Sequence, residues 1–377
     1  MQVKRVGVIG GGQLAWMMAT PAQALGVELV IQTPSRDDPA VAIAADTIIA
    51  PINDADATQE LAYRCDVITF ENEFVDLAAL FPLAESGVCF RPRLEALSPL
   101  LDKYHQRCHL EKLGIPQPKF VLPSSHNQLE FPVVLKTRRH GYDGQGTFII
   151  KDAETLQHKL DTSHKPSEVL LEEFIPFERE LAVIVARAVN GDVVTFPIVE
   201  TQQENQVCRR VIAPAAISST VAQEIEAIAQ TLMNSLQAVG VFGIELFLTG
   251  EQKVLVNEIA PRTHNSGHFT IDACATSQFE QHLRAVCNLP LGSSALTCSS
   301  AVMINLLGYE YAQDDYLDKR SQISQIPHAH VHWYGKNESR PGRKLGHVTV
   351  LLDEVNPEVA QAIAQKIESL WYPESNR

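Results

Sequence analysis

The chain has 377 residues, 45% of them hydrophobic, and a formal net charge of −14 at pH 7. That acidity, with no lysine or arginine run longer than two residues, excludes a nucleic-acid face, which needs clustered cations. No apolar run approaches the ~18–20 residues that span a bilayer, and the seven cysteines are odd in number, scattered and without a Cys-x-x-Cys pair, against a disulfide framework or a cysteine–zinc site. The length suits two or three domains with ample core. A start that runs straight into a strand, MQVKRVGVIGGG, makes the cytoplasm the expected address.

Up to about residue 99, strand-like segments at 3–9, 28–32, 47–49, 66–70 and 88–90 alternate with helical ones, the first at 13–25. This βαβ pattern implies a parallel sheet. Its first turn, Gly10-Gly11-Gly12-Gln13-Leu14-Ala15, fits the GxGxxG/A dinucleotide fingerprint, but the second strand ends Val30-Ile31-Gln32-Thr33-Pro34 without the acidic residue that would bind a ribose. A nicotinamide oxidoreductase is therefore the weaker reading. A tight strand-to-helix turn, or backbone N–H groups receiving another phosphorylated ligand, are the alternatives.

An amphipathic helix at 103–113 is ended by Gly114 and Pro116. His105 and His109 lie one turn apart on it without a Glu-x-x-His context and read as a packed or solvated face. Next come a strand at 131–137 carrying Lys136, a stretch Arg138-Arg139-His140-Gly141-Tyr142-Asp143-Gly144-Gln145-Gly146, and a strand at 147–151. Walker A chemistry needs GxxxxGK[ST] opening onto a helix, and neither feature is present. The glycines suggest a hairpin lid folding its N–H groups over phosphates, with a plain flexible hairpin as the alternative. A further strand runs into Glu172-Glu173-Phe174-Ile175, and Glu180 opens an alternating segment to residue 188.

The richest stretch is GIELFLTGEQKVLVNEIAPRTHNSGH at 243–268. Two apolar, β-branched runs flank a polar turn, and a four-residue loop at 250–253 would pair 249 with 254, 247 with 256 and Glu245 with Glu258. The two carboxylates would then have Cβ atoms about 4.5–5.5 Å apart. Such a pair survives by sharing a proton, turning into water or holding a hard cation such as Mg2+ beside a substrate's phosphates. Arg262, His264, Asn265, Ser266 and His268 crowd donors just after Pro261. His328, His330 and His332 alternate as on one strand face; with no cysteine or carboxylate near in sequence, a half-exposed face is expected rather than a zinc site.

The order of lysine strand, glycine lid, strand ending Glu-Glu-Phe-Ile, lone Glu180 and Glu/Asn-Glu hairpin resembles the ATP-grasp superfamily. Within it, Gly-Gly-Gly-Gln-Leu at 10–14, Thr-Phe-Glu-Asn-Glu at 69–73, Gly-Tyr-Asp-Gly at 141–144, Asn-Glu-Ile-Ala-Pro-Arg-Thr-His-Asn-Ser-Gly-His at 257–268, and His-Trp-Tyr-Gly-Lys with Arg-Pro-Gly-Arg-Lys-Leu-Gly-His at 332–347 look like the 5-(carboxyamino)imidazole ribonucleotide synthetase family of purine biosynthesis. The resemblance implies an α/β plus α+β fold: a Rossmann-like domain over 1–99, a two-lobed ATP-grasp region over 100–297 and a small β-rich domain over 298–377. It implies an ATP-dependent carbon–nitrogen ligase that carboxylates 5-aminoimidazole ribonucleotide with bicarbonate through carboxyphosphate, working as a homodimer. Another ATP-grasp ligase, such as formate-dependent glycinamide ribonucleotide transformylase, is the alternative among enzymes, and a non-catalytic nucleotide-binding regulator would need idle metal ligands.

By the same resemblance, ATP would meet Lys103, Lys136, the lid from Gly141 through Tyr142, Asp143, Gly144, Gln145 and Gly146 to Thr147, the adenine-reading run Glu172, Glu173, Phe174 and Ile175, and Glu180, Gln203, Asn257 and Glu258. Glu245 and Glu258 would hold Mg2+. Arg262, His264 and Asn265 would hold bicarbonate and act in catalysis with Tyr142 and Asp143. The ribonucleotide would fall to Gly12, Gln13, Leu14, Glu73, Asp143, Ser266 and His268, with Lys336, Arg343 and Lys344 toward its phosphate. Two departures stand out: Gln203 replaces a customary nucleotide-contacting histidine, and Gln145 a customary basic residue of the lid.

Overall fold

The structure is a computed structural model and describes residues 3–139, 146–162, 165–336 and 338–373. The N-terminal part is a parallel sheet in the order Asp46–Ile49, Glu28–Thr33, Arg5–Ile9, Val67–Phe70. The strand expected at 88–90 is reduced to a single parallel bridge between Phe90 and Ile68. The expected helix at 13–25 is two, Gln13–Trp16 and Ala19–Leu25. Pro21 has no N–H for the Met17 carbonyl, so one helix cannot run through.

A second, antiparallel sheet orders Phe120–Val121, Val169–Glu173, Val133–Thr137 and Thr147–Ile150. The largest sheet has nine strands. Its main path runs Val254–Ala260, Gly240–Thr249, Phe177–Arg187, Val199–Glu204, Val207–Ala213, Ser300–Leu307, Lys344–Leu352, Ala329–Trp333. The last three belong to the C-terminal segment, joined to the preceding lobe by the ladder between Val207–Ala213 and Ser300–Leu307. The C-terminal strands therefore extend the sheet of that lobe instead of forming a layer of their own. Helix Ser219–Leu236 buries Val221, Ile225, Ile228, Ala229, Leu232, Met233 and Leu236. That stripe recurs every three or four residues, the spacing of one helix face, and packs on the sheet through Leu181, Val183, Phe242 and Ile244.

The edge of this sheet is a hazard, because an unpaired strand offers its N–H and C=O groups to other chains. Here the helix Lys103–Lys112 covers it. Gln106 behaves as a strand partner: its Oε1 accepts from Ile259 N–H at 2.9 Å and its Nε2 donates to Ile259 C=O at 3.1 Å. Arg107 donates to the carbonyls of Val256 and Asn257 at 2.7 and 2.8 Å. The backbone on both sides of Glu258 is thus pinned by side chains of one helix.

Candidate active site

The hairpin brings Glu245 opposite Glu258 as expected, by a different route. Val254 pairs with Leu248 and Val256 with Leu246, one residue off the simple count. A bulge beside Glu245 then resets the register. Val256 and Ile259 are buried in the core. Without the extra residue, Asn257 would oppose Glu245 and Glu258 would point inward with Val256. With it, Asn257 and Glu258 both serve the cleft, since a one-residue shift exchanges the faces of a strand.

Lys136 Nζ donates to Asn257 Oδ1 at 2.9 Å and lies 2.9 Å from Glu172 Oε2. Arg107 Nε approaches the other Glu172 oxygen at 2.7 Å. Burial raises the Glu172 carboxyl, but the charges and hydrogen bonds of Arg107 and Lys136 outweigh it and hold the group at about 2. Burial lowers the Lys136 ammonium despite this pairing, with Arg107 adding like-charge repulsion. One carboxylate facing two cations leaves the cluster net positive, so Lys136 keeps an appetite for an anion. Lys103 pairs directly with Glu258.

Glu245 is the opposite case. Its side chain is 31% exposed, yet burial first, then the charges of Glu258 and Glu180, push its carboxyl up to about 7. Its nearest donor is His264 Nε2 at 3.4 Å, and burial together with Arg262 and Lys344 drives that imidazole down to about 3, so His264 is neutral. Gly243 makes their approach possible: a Cβ there would stand 2.5 Å from the Cβ of His264, whose ring lies over the strand. Two carboxylates share one face, Lys103 is paired with Glu258 and only a neutral donor stands beside Glu245, so one carboxylate lacks a direct counter-ion, and carboxylate oxygens are the donors a hard cation prefers.

The loop after Pro261 is built by amides. Gln278, fully buried, accepts from His264 N–H at 2.9 Å, donates to its carbonyl at 2.8 Å and lies 3.0 Å from His268 Nδ1. Asn265 and Asn305 exchange reciprocal hydrogen bonds of 2.9 and 2.8 Å, so much of the Asn265 amide is spent internally. Ser266 Oγ is 2.8 Å from His264 Nδ1. Arg262 clasps Glu73 through Nε at 2.5 Å and Nη2 at 3.1 Å, bringing the N-terminal domain onto the loop. Burial raises Glu73, but Arg262 holds its carboxyl below the ordinary value. Glu73, Lys103, Glu258 and Pro261 line a cleft with Arg138 and Arg139 at its wall.

On the side expected to read adenine, Glu173 Oε1 accepts from Lys119 N–H at 2.8 Å, Phe174 is 38% exposed, and Ile175 accepts from Phe177 N–H at 2.9 Å. The Glu172 side chain is consumed by Arg107 and Lys136 and its backbone lies between the Phe120 and Val134 partners of the sheet, so a base would fall to the residues that follow it. Burial raises Glu180 despite a hydrogen bond from Gln203, so these two expected ligands sit together. Thr147 pairs with Lys136 across the ladder, and Gly146 takes φ +84° against the Thr137 side chain. Gly141, Tyr142, Asp143, Gly144 and Gln145 lie outside the described residues.

From the C-terminal segment, Lys336 Nζ donates to Gln13 Oε1 at 2.6 Å and to Lys344 C=O at 2.7 Å, drawing it to the glycine turn. Arg343 donates to Glu338 C=O at 2.8 Å. His268 is fully buried and its Nε2 meets no hydrogen-bond partner. The dinucleotide reading of residues 10–15 is overturned here. A Cβ on Gly10 or Gly12 would come within 2.6 or 2.5 Å of Glu71, and one on Gly11 within 2.5 Å of Thr33 Oγ1. The glycines admit a buried carboxylate, accepting weakly from Leu14 N–H at 3.4 Å, where a pyrophosphate would need to approach.

Arg107, Gln106, Gln278 and Asn305 were not singled out from the sequence. Each acts on a partner far along the chain, and no spacing announces it.

The lysine strand, the strand carrying Glu172, the Glu245/Glu258 hairpin and the adjoining cleft define an ATP-grasp protein, and the ATP-grasp domain model matches residues 108–279. It is flanked by a ribonucleotide synthetase preATP-grasp domain over residues 3–99 and a phosphoribosylaminoimidazole carboxylase C-terminal domain over 301–361. The chain is 54% identical to the N5-carboxyaminoimidazole ribonucleotide synthase of Synechococcus elongatus, over 98% of this chain and 96% of that one. It is 52% identical to the enzyme of that name from Synechocystis, over 98% of each. The N5-carboxyaminoimidazole synthase of Aspergillus clavatus, solved with ADP and 5-aminoimidazole ribonucleotide, superposes with a TM-score of 0.89 at 33% identity, covering 98% of both chains. The chain belongs to the N5-carboxyaminoimidazole ribonucleotide synthase family.

Proposed function

We propose that the protein catalyses ATP- and bicarbonate-dependent carboxylation of 5-aminoimidazole ribonucleotide to its N5-carboxyamino derivative. The observation that carries this reading is the Glu245–Glu258 pair on one hairpin, with Lys103 on Glu258, Lys136 on the neighbouring Asn257 and His264 beside Glu245. A bicarbonate oxygen attacks the γ-phosphorus and the bond to ADP breaks, giving carboxyphosphate. Loss of phosphate frees carbon dioxide, and the exocyclic amine bonds to its carbon and gives up a proton. Lys136 and Lys103 are placed to meet phosphoryl charge, and Mg2+ held by Glu245 and Glu258 would supply the rest of the countercharge.

Three N–H groups of Arg262 are taken by Glu73 and Thr263, which leaves two for bicarbonate. His264, held neutral, offers a hydrogen bond without adding charge. Asn257 keeps Lys136 aimed, and the glycine stretch, of which residues 141–145 lie outside the described ones, would be the water-excluding lid that a hydrolysable intermediate requires. On the ribonucleotide side the reading assigns Gly12, Gln13, Leu14, Glu73, Ser266 and His268, with Lys336, Arg343 and Lys344 toward the phosphate. Among the described residues no helix is long and apolar enough to cross a membrane, in keeping with a cytoplasmic enzyme, and sedimentation checks the homodimer expected from the family.

The test is phosphate release from ATP with each co-substrate omitted in turn. Release that requires both bicarbonate and aminoimidazole ribonucleotide supports the reading; release driven instead by formate and glycinamide ribonucleotide replaces it with the transformylase alternative.

A further inference from the structure

The histidines of the strand Ala329–Trp333 acquire a carboxylate that lies far from them in sequence. Asp272, in the short helix Thr270–Ala273, has His332 Nε2 2.8 Å from its Oδ2 and His330 Nδ1 3.6 Å from its Oδ1. His332 faces His347 directly across the ladder, with ring centroids 4.5 Å apart. Donor atoms of Asp272, His332 and His347 all lie within 4.8 Å of one another. His347 is fully buried; its Nδ1 stands 2.8 Å from the Tyr334 hydroxyl and its Nε2 meets no hydrogen-bond partner. A buried imidazole with one nitrogen fixed by a neighbour and the other bare is how a protein presents a histidine to a metal, since the fixed nitrogen sets tautomer and ring orientation.

We propose that Asp272, His332 and His347 form a Zn2+ site, completed on its solvent side by His330. Imidazole and carboxylate together suit zinc, whereas Mg2+ demands oxygen ligands and dehydrates reluctantly. Tetrahedral zinc with bonds of about 2.0–2.1 Å sets its donors roughly 3.3 Å apart, so on binding the His332–Asp272 pair opens from 2.8 Å while the wider gaps of the cluster close. His332 turns out of its stack, because lone pairs in parallel ring planes cannot converge, and its proton moves from Nε2 to Nδ1. Asp272 belongs to the lobe that carries the Arg262–His268 loop, while His332 and His347 lie on strands adjoining Lys336 and Lys344. Zinc there would staple the C-terminal strands to that loop, next to His268, whose ring centroid is 5.2 Å from that of His347. The site is separate from the nucleotide carboxylates and stands whatever the reaction.

The full chain, stripped by chelator, is titrated with Co2+ as a visible probe and then with Zn2+. One equivalent of Co2+ with four-coordinate ligand-field bands, displaced by Zn2+ and indifferent to excess Mg2+, is expected, with a higher Tm on zinc addition. Asp272→Asn and His332→Ala weaken binding at least about a hundredfold and Tyr334→Phe about tenfold. Because the first two sit in packed surroundings, His330→Ala at the solvent edge provides a gentler variant, expected to lose affinity without loss of fold. Absence of the bands overturns the site. So do bands that survive Asp272→Asn and His332→Ala but vanish in Glu258→Gln, which would put the ion on the nucleotide carboxylates.

Discussion

Glu172 and Glu245 are carboxylates of one candidate site with opposite fates. Glu172 has two cations within 2.9 Å and settles at about 2; for Glu245, burial and the charges of Glu258 and Glu180 outweigh those of Lys103 and Lys344, and it rises to about 7. Both feel burial in the same direction. What separates them is whether the protein supplies the countercharge. Glu172 is complete and serves to hold Arg107 and Lys136 in place. Glu258 has Lys103 and Glu245 has no cation in contact, so the pair is one countercharge short, which is what a site for an incoming cation must be.

The contrast can be broken at either end. Glu172→Gln leaves Arg107 and Lys136 buried without their counter-ion, and a loss of about 3–5 kcal/mol is expected in urea unfolding. A loss under 1 kcal/mol would show that Glu172 is no keystone. Glu258→Gln should leave the unfolding free energy within about 0.5 kcal/mol while cutting kcat by about 10²–10³, the scale of removing one preorganised electrostatic group. Near-full turnover at limiting Mg2+ would contradict the metal assignment.

Proton linkage sharpens the same comparison. A carboxyl raised from 4.5 to about 7 is still protonated in the folded protein where the unfolded chain has ionised, so its penalty on stability grows as pH rises from 4.5 to 7 and is complete above. A cation at Glu245 must displace that proton. Apparent Mg2+ affinity, followed by thermal shift, should therefore weaken about tenfold for each pH unit below 7 and level off above it, the slope vanishing in Glu245→Gln. Glu172 acts in reverse: its depressed carboxyl contributes stability above 4.5 that disappears as pH falls toward 2. The smallest expected effect is at Gly243. Gly243→Ala should push His264 aside and lower kcat about tenfold with ATP affinity unchanged; unchanged kcat would mean that the ring has room to yield.

Much of this site was legible because its chemistry is local. Glu245 and Glu258 belong to one hairpin, and counting residues around its turn pairs them. The count succeeds through two compensating departures: the loop closes one residue early, with Thr249 N–H on Lys253 C=O at 3.0 Å, and the bulge at Asn257 restores the register. Periodicity says nothing of a bulge. Arg107 was hidden for another reason. It lies on an ordinary amphipathic helix, and its partners at 172, 256 and 257 become neighbours only when two sheets close over it. Asp272 escaped notice as a companion of His332 in the same way, and the split at Pro21 was missed because helical spacing of apolar residues continued on either side of it.

The unbroken sheet has a consequence for how this protein can be divided. Residues near 100 mark a place where the parallel sheet ends and a helix begins, and a recombinant crossover with a relative there would cut no ladder. A cut near 298 would strip Ser300–Leu307 from Val207–Ala213 and leave a raw, pairing-hungry border in the middle of a sheet. The C-terminal segment cannot be treated as a removable module. Fragments ending before it should form fibres or soluble clumps instead of a working nucleotide-binding half, and chimaeras in this family should inherit everything from about residue 100 onward from a single parent.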